Sequence, residues 1–217
     1  MIQIKNTIVL LLALLLFSLP LHAQDQRTLD TKVADLLVQI PAENEKELNE
    51  LMELMLQLAE PGLQLILDQV IAPGTGDDIN ARMAIESLSR FVSQPGREQV
   101  RSSWESLILK EIDLENDPYV KSFLMSQLYY LGSEKSIEVL SKYLLDPHLH
   151  DPAIRVLRDA IPGKAADIFA EHLENSEGEI TIALINGIKE TGSSEHAPAV
   201  ASLAGSDSPE LQRTVLA

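Results

Sequence analysis

The sequence predicts an all-α fold, arranged as a right-handed solenoid of antiparallel helix pairs, with about five complete pairs and a sixth that is cut short. Residues 117–217 carry a repeat of about 30 residues, and a period between 20 and 50 residues is typical of stacked repeats. Apolar residues recur at helical spacing through most of the chain. Only 4% of the residues are aromatic, and no alternating apolar and polar run indicates a strand, which disfavours a β-sandwich or barrel.

Two series of apolar positions define the repeat. They share a spacing of 29 to 31 residues, and turn residues at Gly132, Pro162-Gly163 and Gly192 separate them. The two series are Leu124, Ile154, Leu184 and Val215, and Leu144, Leu173 and Leu203. Each unit has too little apolar surface to fold alone, so we expect stability to come from stacking neighbouring units.

Residues 1–23 have the layout of a secretory signal peptide. Lys5 precedes an apolar run from Ile8 to Leu19, and Ala23 supplies a small residue at the expected cleavage position. The run has about 12 residues, fewer than the roughly 20 that a membrane-spanning helix needs. Cleavage is therefore favoured over an uncleaved anchor, and we expect an exported protein that is periplasmic or extracellular, with no membrane insertion after cleavage.

The first half of the mature chain predicts a leading helix and two pairs. Residues 24–40 form the leading cap, with a helix over Thr28–Ile40, and residues 41–217 form the repeats. The first pair covers roughly 45–72, where Pro61-Gly62 is expected to end the first helix because proline interrupts helix interiors. The second pair covers roughly 79–112.

The later pairs begin with matching chemistry. They cover roughly 118–145, 151–174, 178–204 and, cut short, 209–217. Three first helices follow an acid or serine joined to proline: Asp117-Pro118, Asp151-Pro152 and Ser208-Pro209. Such side chains accept hydrogen bonds from the first turn, and proline there loses no donor that the helix needs. We therefore expect Asp117, Asp151 and Ser208 to cap these helices.

The sequence ends inside an apolar helical pattern. Residues 211–217 contain no stop signal, and no partner helix follows them. Since solenoids normally finish on a polar capping unit, we expect this chain to be the N-terminal part of a longer protein.

Charge and cysteine content narrow the classes of partner. The formal net charge is −16, and removal of Lys5 with the signal peptide makes it one unit more negative. Such a field repels nucleic acids and anionic lipids, so we expect no nucleic-acid partner. The chain has no cysteine, so no disulfide stabilises it and packing alone must.

His148, His150 and Asp151 form the best candidate ligand cluster. Two histidines beside a carboxylate could bind a metal if a third ligand approached. The alternative is an ordinary loop between repeats in which Asp151 caps the next helix, and this alternative is favoured. His172 and His196 are expected at the surface.

Other chemical motifs favour structural interpretations. Residues 74–78 contain glycines and acids without the Lys-Ser/Thr of a phosphate loop, so a helix-capping loop is expected. Acids from Glu43 to Glu53 begin a helix, where negative charge is favourable. No Gly-x-Ser-x-Gly element is present. We therefore expect no catalytic, metal-binding or cofactor-binding residue and no cofactor in this region, which we predict is not an enzyme.

The units resemble the short bacterial form of HEAT repeats. The closest matches to the family's apolar and basic face are Val120-Lys121 with Leu124 and Leu128, and Leu211-Gln212-Arg213 with Val215. The resemblance covers residues 117–217 well and 41–116 loosely, and armadillo-like pairs remain an alternative. It implies a surface for protein–protein interaction, expected mainly on the second helices.

Two segments, Gln24–Leu37 and 73–78, resemble exported proteins typical of Bacteroidetes with a HEAT-like N-terminal region. In those proteins a C-terminal domain similar to 3-keto-disaccharide hydrolases often follows. The resemblance implies that a catalytic domain in the same chain could be a partner, and none of its residues lies here. The expected function is a non-catalytic scaffold for an unknown protein partner. The alternative is an accessory region of a carbohydrate-active enzyme.

Overall fold

A computed structural model describes residues 27–192, 194–205 and 208–216. Over these residues the chain forms twelve α-helices and one short 3₁₀ helix, with no strand, which confirms the all-α prediction. The predicted signal peptide, residues 1–23, lies outside the described residues. No helix of the described ranges combines the length and the apolar character that crossing a membrane requires.

The helices follow one another with short connections. In chain order they are α1 (Leu29–Leu37), α2 (Glu45–Gln57), α3 (Ala59–Leu67), α4 (Ile79–Val92), α5 (Glu98–Leu114), α6 (Pro118–Leu131), α7 (Lys135–Ser141), α8 (His150–Ala160), α9 (Pro162–Leu173), α10 (Gly178–Glu190), α11 (Ala197–Ser202) and α12 (Pro209–Leu216). The 3₁₀ helix, Leu203–Gly205, joins α11 to α12. The leading helix α1 packs on α2 and α3.

Alternate helices pack against each other in chain order. The first helix of each pair contacts the first helix of the next: α2 on α4, α4 on α6, α6 on α8, α8 on α10, and α10 on α12. Each of the second helices α3, α5, α7 and α9 also packs on the first helix that follows it. Most contacts between pairs are therefore made with the adjacent pair.

The repeated apolar positions lie in one continuous core. Leu124, Ile154 and Leu184 are buried at equivalent places on α6, α8 and α10, and Val215 is half-buried on α12. In the second series, Leu144 and Leu173 are buried, and Leu203 is half-buried against the core. The predicted repeat therefore corresponds to positions that face neighbouring helices.

The break between α2 and α3 differs from the prediction. Pro61-Gly62 does not separate the helices but lies in the first turn of α3, where proline is tolerated because its missing donor would be unpaired. The chain turns instead at Ala59, which has a φ of 53°. Gly62 is required for packing, since a Cβ there would clash with the Cβ of Leu58.

Two of the three predicted caps are confirmed, and the third is wrong. Asp117 accepts from the backbone N–H groups of Tyr119 and Val120, and Ser208 accepts from Leu211 at 3.3 Å. Asp151 does not cap α8, because this helix already begins at His150. Asp146 lies at the turn instead, and its carboxylate accepts from the N–H groups of His148 and Leu149.

The loop before α4 is fixed by a partly buried ion pair. Asp77 accepts from the backbone N–H of Ile79 at 3.1 Å, which agrees with the predicted capping loop. Asp78 accepts from the N–H of Ile71 and pairs with Arg82 at 2.8 Å. The Arg82 guanidinium also donates to the carbonyl of Ile71, so both ends of the loop are joined.

Glu105 of α5 is a buried carboxylate that connects two pairs. Its side chain accepts from the backbone N–H of Ser133 at 2.8 Å and from the hydroxyls of Ser133 and Ser136. Glu105 is only 2% exposed. Because these donors lie at the start of α7, the carboxylate also opposes the positive end of that helix.

Gly187 of α10 allows close helix contact. A Cβ at this position would lie 2.9 Å from the ring of Phe169 on α9 and 3.1 Å from Ile154 on α8. The absence of a side chain at Gly187 therefore allows α10 to pack closely against both helices of the preceding pair.

We predict that Glu105→Gln lowers the free energy of unfolding by about 1–3 kcal/mol, because one acceptor oxygen becomes a donor facing hydroxyl and N–H groups. Urea denaturation followed by circular dichroism measures the change. The control is Glu171→Gln, an exposed site on α9, which should stay within about 0.5 kcal/mol. Equal stability of the two variants would contradict the role of Glu105.

We predict that Gly187→Ala destabilises the chain by about 1–3 kcal/mol through overpacking against Phe169 and Ile154. The matched control is Gly163→Ala on α9, where a Cβ meets nothing within 4 Å. That control should be neutral or slightly stabilising, because alanine restricts the unfolded chain. Thermal unfolding measures the stability of both variants. An unchanged stability of Gly187→Ala would show that α10 does not pack this closely against α8 and α9.

Candidate functional site

A cavity of about 970 Å³ forms an open groove across three successive first helices, α6, α8 and α10. We call it the first-helix groove. Pro147 and His148 of the loop before α8 also line it. Its polar lining residues are Tyr119, Ser122, His148, His150, Asp151, Arg155, Arg158, Glu179, Asn186 and Glu190.

Helix stacking positions these side chains. The groove residues of α8 recur at positions 150, 151, 154, 155 and 158, and those of α10 recur at 179, 182, 183, 186, 187 and 190. Residues spaced by three and four positions share one face of a helix. Buried Ile154 and Gly187 contribute to the floor.

Tyr119 stands at the α6 side of the groove and is 68% exposed. It follows Pro118 in the first turn of α6, and Asp117 fixes that turn by accepting from its backbone N–H at 2.9 Å. An exposed tyrosine offers a ring face and a hydroxyl to a ligand. The α6 wall can therefore make both apolar and hydrogen-bonding contacts.

His150 has a defined tautomer. Its Nδ1 lies 2.9 Å from the carbonyl oxygen of Asp146. A carbonyl can only accept, so Nδ1 carries the hydrogen, and Nε2 of the neutral ring presents a lone pair. That Nε2 lies 3.9 Å from the Asp151 carboxylate, and the His150 side chain is 13% exposed. The groove therefore contains two neighbouring acceptors at the start of α8.

Arg158 joins the two walls at the other end of the groove. Its guanidinium donates to Asp159 of α8 at 2.6 Å and to the Glu190 carboxylate of α10. The bonds to Asp159 and Glu190 outweigh partial burial and raise the pKa of Arg158 above its ordinary value. This cation is therefore already neutralised by its own neighbours.

Arg155 differs from Arg158 in its surroundings. Its Nε donates to the backbone carbonyl of Asp151 at 3.4 Å, and the side chain is exposed. Within the described part of the chain, no carboxylate lies at ion-pair distance from it. The guanidinium nitrogens beyond Nε can therefore meet a ligand.

The three residues of the predicted ligand cluster all line the first-helix groove. His148 and Asp151 are exposed, and His150 is half-buried. In the residues that the structure describes, no three histidine or acidic side chains are grouped closely enough to hold a metal ion. The cluster therefore offers a pair of acceptors, His150 and Asp151, rather than a described metal centre.

The other two histidines that the structure describes lie apart from the groove and are half-buried rather than at the open surface. His172 of α9 repeats the geometry of His150, with Nδ1 2.7 Å from the carbonyl of Ile168. His196 lies 2.6 Å from the Asp167 carboxylate and connects α9 to the start of α11.

A second cavity, about 590 Å³, lies along α3 and α5. We call it the second-helix groove. Its lining is mostly apolar and includes Leu63, Val100 and Leu107, with Lys110 and Glu60 at its margin 3.8 Å apart. The resemblance to HEAT repeats implies binding mainly on second helices, yet the first-helix groove is the larger of these two cavities.

Several groove residues were not predicted. Tyr119, Arg155 and Asn186 are exposed on three first helices, where they look like ordinary surface positions. Superimposing the repeat units in the sequence places Asn186 one residue after the equivalent of Arg155, whereas Tyr119 lies six residues before that equivalent position. A helical-wheel analysis of each unit could have identified the shared outward face.

Comparison with known proteins adds no family to this geometry. No protein-family model matches the chain, and a search of curated proteins gives no match either. Functional interpretation therefore depends on the groove and the fold.

Proposed function

We propose that this chain is a non-catalytic helical-repeat scaffold, a right-handed solenoid of helix pairs, that binds a protein partner. The packing of each first helix on the next, from α2 to α12, carries the proposal. Such nearest-neighbour stacking produces an elongated array with a long continuous surface. We further propose that it acts outside the cytoplasm, with the signal-like sequence of residues 1–23 as the support.

The first-helix groove is the proposed binding surface. It spans three consecutive units, and its volume of about 970 Å³ suits an extended segment of several residues. Buried aliphatic groups on its floor and mixed charges on its walls can accept both side chains and backbone groups of a peptide.

The groove chemistry favours binding over catalysis. His150 gives its Nδ1 hydrogen to the backbone carbonyl of Asp146, so no carboxylate orients it as a general base. Arg158 is committed to Asp159 and Glu190. These side chains stabilise the walls rather than converge on a reacting atom.

The solenoid proposal predicts an elongated particle. Six first helices stacked at about 9 Å intervals place the outer axes roughly 45 Å apart. We therefore expect small-angle X-ray scattering of the chain from residue 24 onward to give a radius of gyration above the ~16 Å of a compact domain of roughly 190 residues. A compact globular protein of equal length is the reference, and a matching radius would contradict the solenoid.

The binding proposal predicts that selection from a random peptide-display library yields ligands that depend on the first-helix groove. Tyr119→Ala and Arg155→Ala should each weaken the selected peptides by about fivefold or more, since exposed aromatic and arginine side chains dominate many interfaces. Fluorescence anisotropy measures the affinities.

The matched controls lie in the second-helix groove. Val100→Ala and Lys110→Ala change an exposed apolar and an exposed cationic side chain, and they should leave the affinities within about twofold. Peptides that respond only to these controls would move the binding surface to α3 and α5. An absence of groove-dependent peptides would overturn the proposed function.

A further inference from the structure

We propose that the first-helix groove binds its partner through a lysine side chain, whose ammonium group is held between Nε2 of His150 and the carboxylate of Asp151. The inference rests on the proposed function, because it names the partner chemistry of the same groove. The occupant is therefore an extended, lysine-bearing protein segment.

The His150 lone pair is the first observation. Its Nδ1 is committed to the Asp146 carbonyl at 2.9 Å, so Nε2 of the neutral ring can only accept. The half-buried ring lines the groove, and this bond fixes its orientation. An acceptor held in place in this way requires a hydrogen-bond donor from a ligand or from solvent.

Asp151 supplies the charge. Its carboxylate lies 3.9 Å from Nε2 of His150, and its side chain is 67% exposed. Across the groove, Glu179 of α10 is also exposed. Among the described residues, neither carboxylate has a lysine or arginine within ion-pair distance. A cation entering here gains interactions without displacing an existing pair.

The geometry selects an ammonium over a guanidinium. One ammonium nitrogen has three diverging donors, so it can reach two separate acceptors 3.9 Å apart with bonds of about 2.9 Å. A guanidinium instead presents parallel donors that match both oxygens of a single carboxylate. The His150 and Asp151 pair offers one nitrogen and one carboxylate, which fits the compact ammonium.

The charges of the groove and of the whole chain also favour a cationic ligand. The groove is lined by three carboxylates and two guanidinium groups, and Arg158 is already paired with Asp159 and Glu190. The whole chain carries a formal charge of −16, which attracts cationic partners and repels anionic ones. Arg155 is the other cation of the groove, and its Nε bonds to the backbone carbonyl of Asp151 rather than to the Asp151 carboxylate.

The test uses three peptides that differ at one central residue. An N-acetylated, C-amidated Gly-Ser-Ala-Lys-Ala-Ser-Gly is titrated into the ¹⁵N-labelled chain at physiological salt, and NMR shifts of His150 report binding. Its Nε-acetyllysine twin removes the charge and keeps the length, and its glutamate twin reverses the charge. We expect binding of the lysine peptide only, with the largest shift at Nε2 of His150.

Protein variants locate the contact. Asp151→Asn, at an exposed position, should weaken the lysine peptide by about fivefold, because it loses a charge-assisted bond. His150→Phe should also weaken it, and circular dichroism checks its fold. The matched control Glu171→Gln makes the same charge change on α9 and should stay within about twofold. Addition of EDTA should change nothing, since no metal takes part.

Four results would overturn the inference: equal binding of lysine and acetyllysine peptides, tighter binding of the glutamate peptide, no shift of His150, or loss of binding with EDTA. If library peptides still depend on Tyr119 and Arg155 in that case, the proposed function stands and only the lysine contact fails. If no peptide depends on the groove, both fail together.

Discussion

Stacking between neighbouring first helices is the constraint on which the rest of this structure depends. Helix pairs of this length have too little interior surface to offset the loss of chain entropy alone. Leu124, Ile154 and Leu184 are buried because α6, α8 and α10 each lie beside the equivalent helix of the next unit. Gly187 shows how close this packing is, since a single added carbon would press on Phe169 and Ile154.

Two buried polar side chains follow the same logic, because each bonds to another helix or to the turn that precedes it. Glu105 of α5 receives three donors from the start of α7. The indole of Trp104 donates to Ser89 at 3.0 Å across α4 and α5. An unpaired polar group at either place would oppose folding by about 1–3 kcal/mol, so these bonds help to specify which helices are neighbours.

The sequence predicted the features that depend on nearby residues and missed the contacts that form only when distant helices pack together. Helical periodicity and the caps at Asp117 and Ser208 depend on residues within one or two turns, so they could be read directly. Asp146-Pro147 and Asp151-Pro152 look alike in sequence, and only the path of the loop places Asp146 at the turn before α8. The Glu105 contacts and the groove join residues about 30 positions apart, and no local pattern encodes that distance.

The groove and the stacking interfaces are formed by the same helices, so binding and stability should be coupled. A segment lying across α6, α8 and α10 contacts both interfaces at once, and Arg158 with Glu190 already bridges one of them. A ligand that binds only the folded array stabilises it, by about 2.7 kcal/mol at a hundredfold excess over Kd. In the solenoid that we propose, this gain acts on the contacted interfaces first. Partner binding would therefore stabilise the interfaces of α6, α8 and α10 directly. The helices α1 and α12 would be stabilised only through the interfaces that lie between them and the groove.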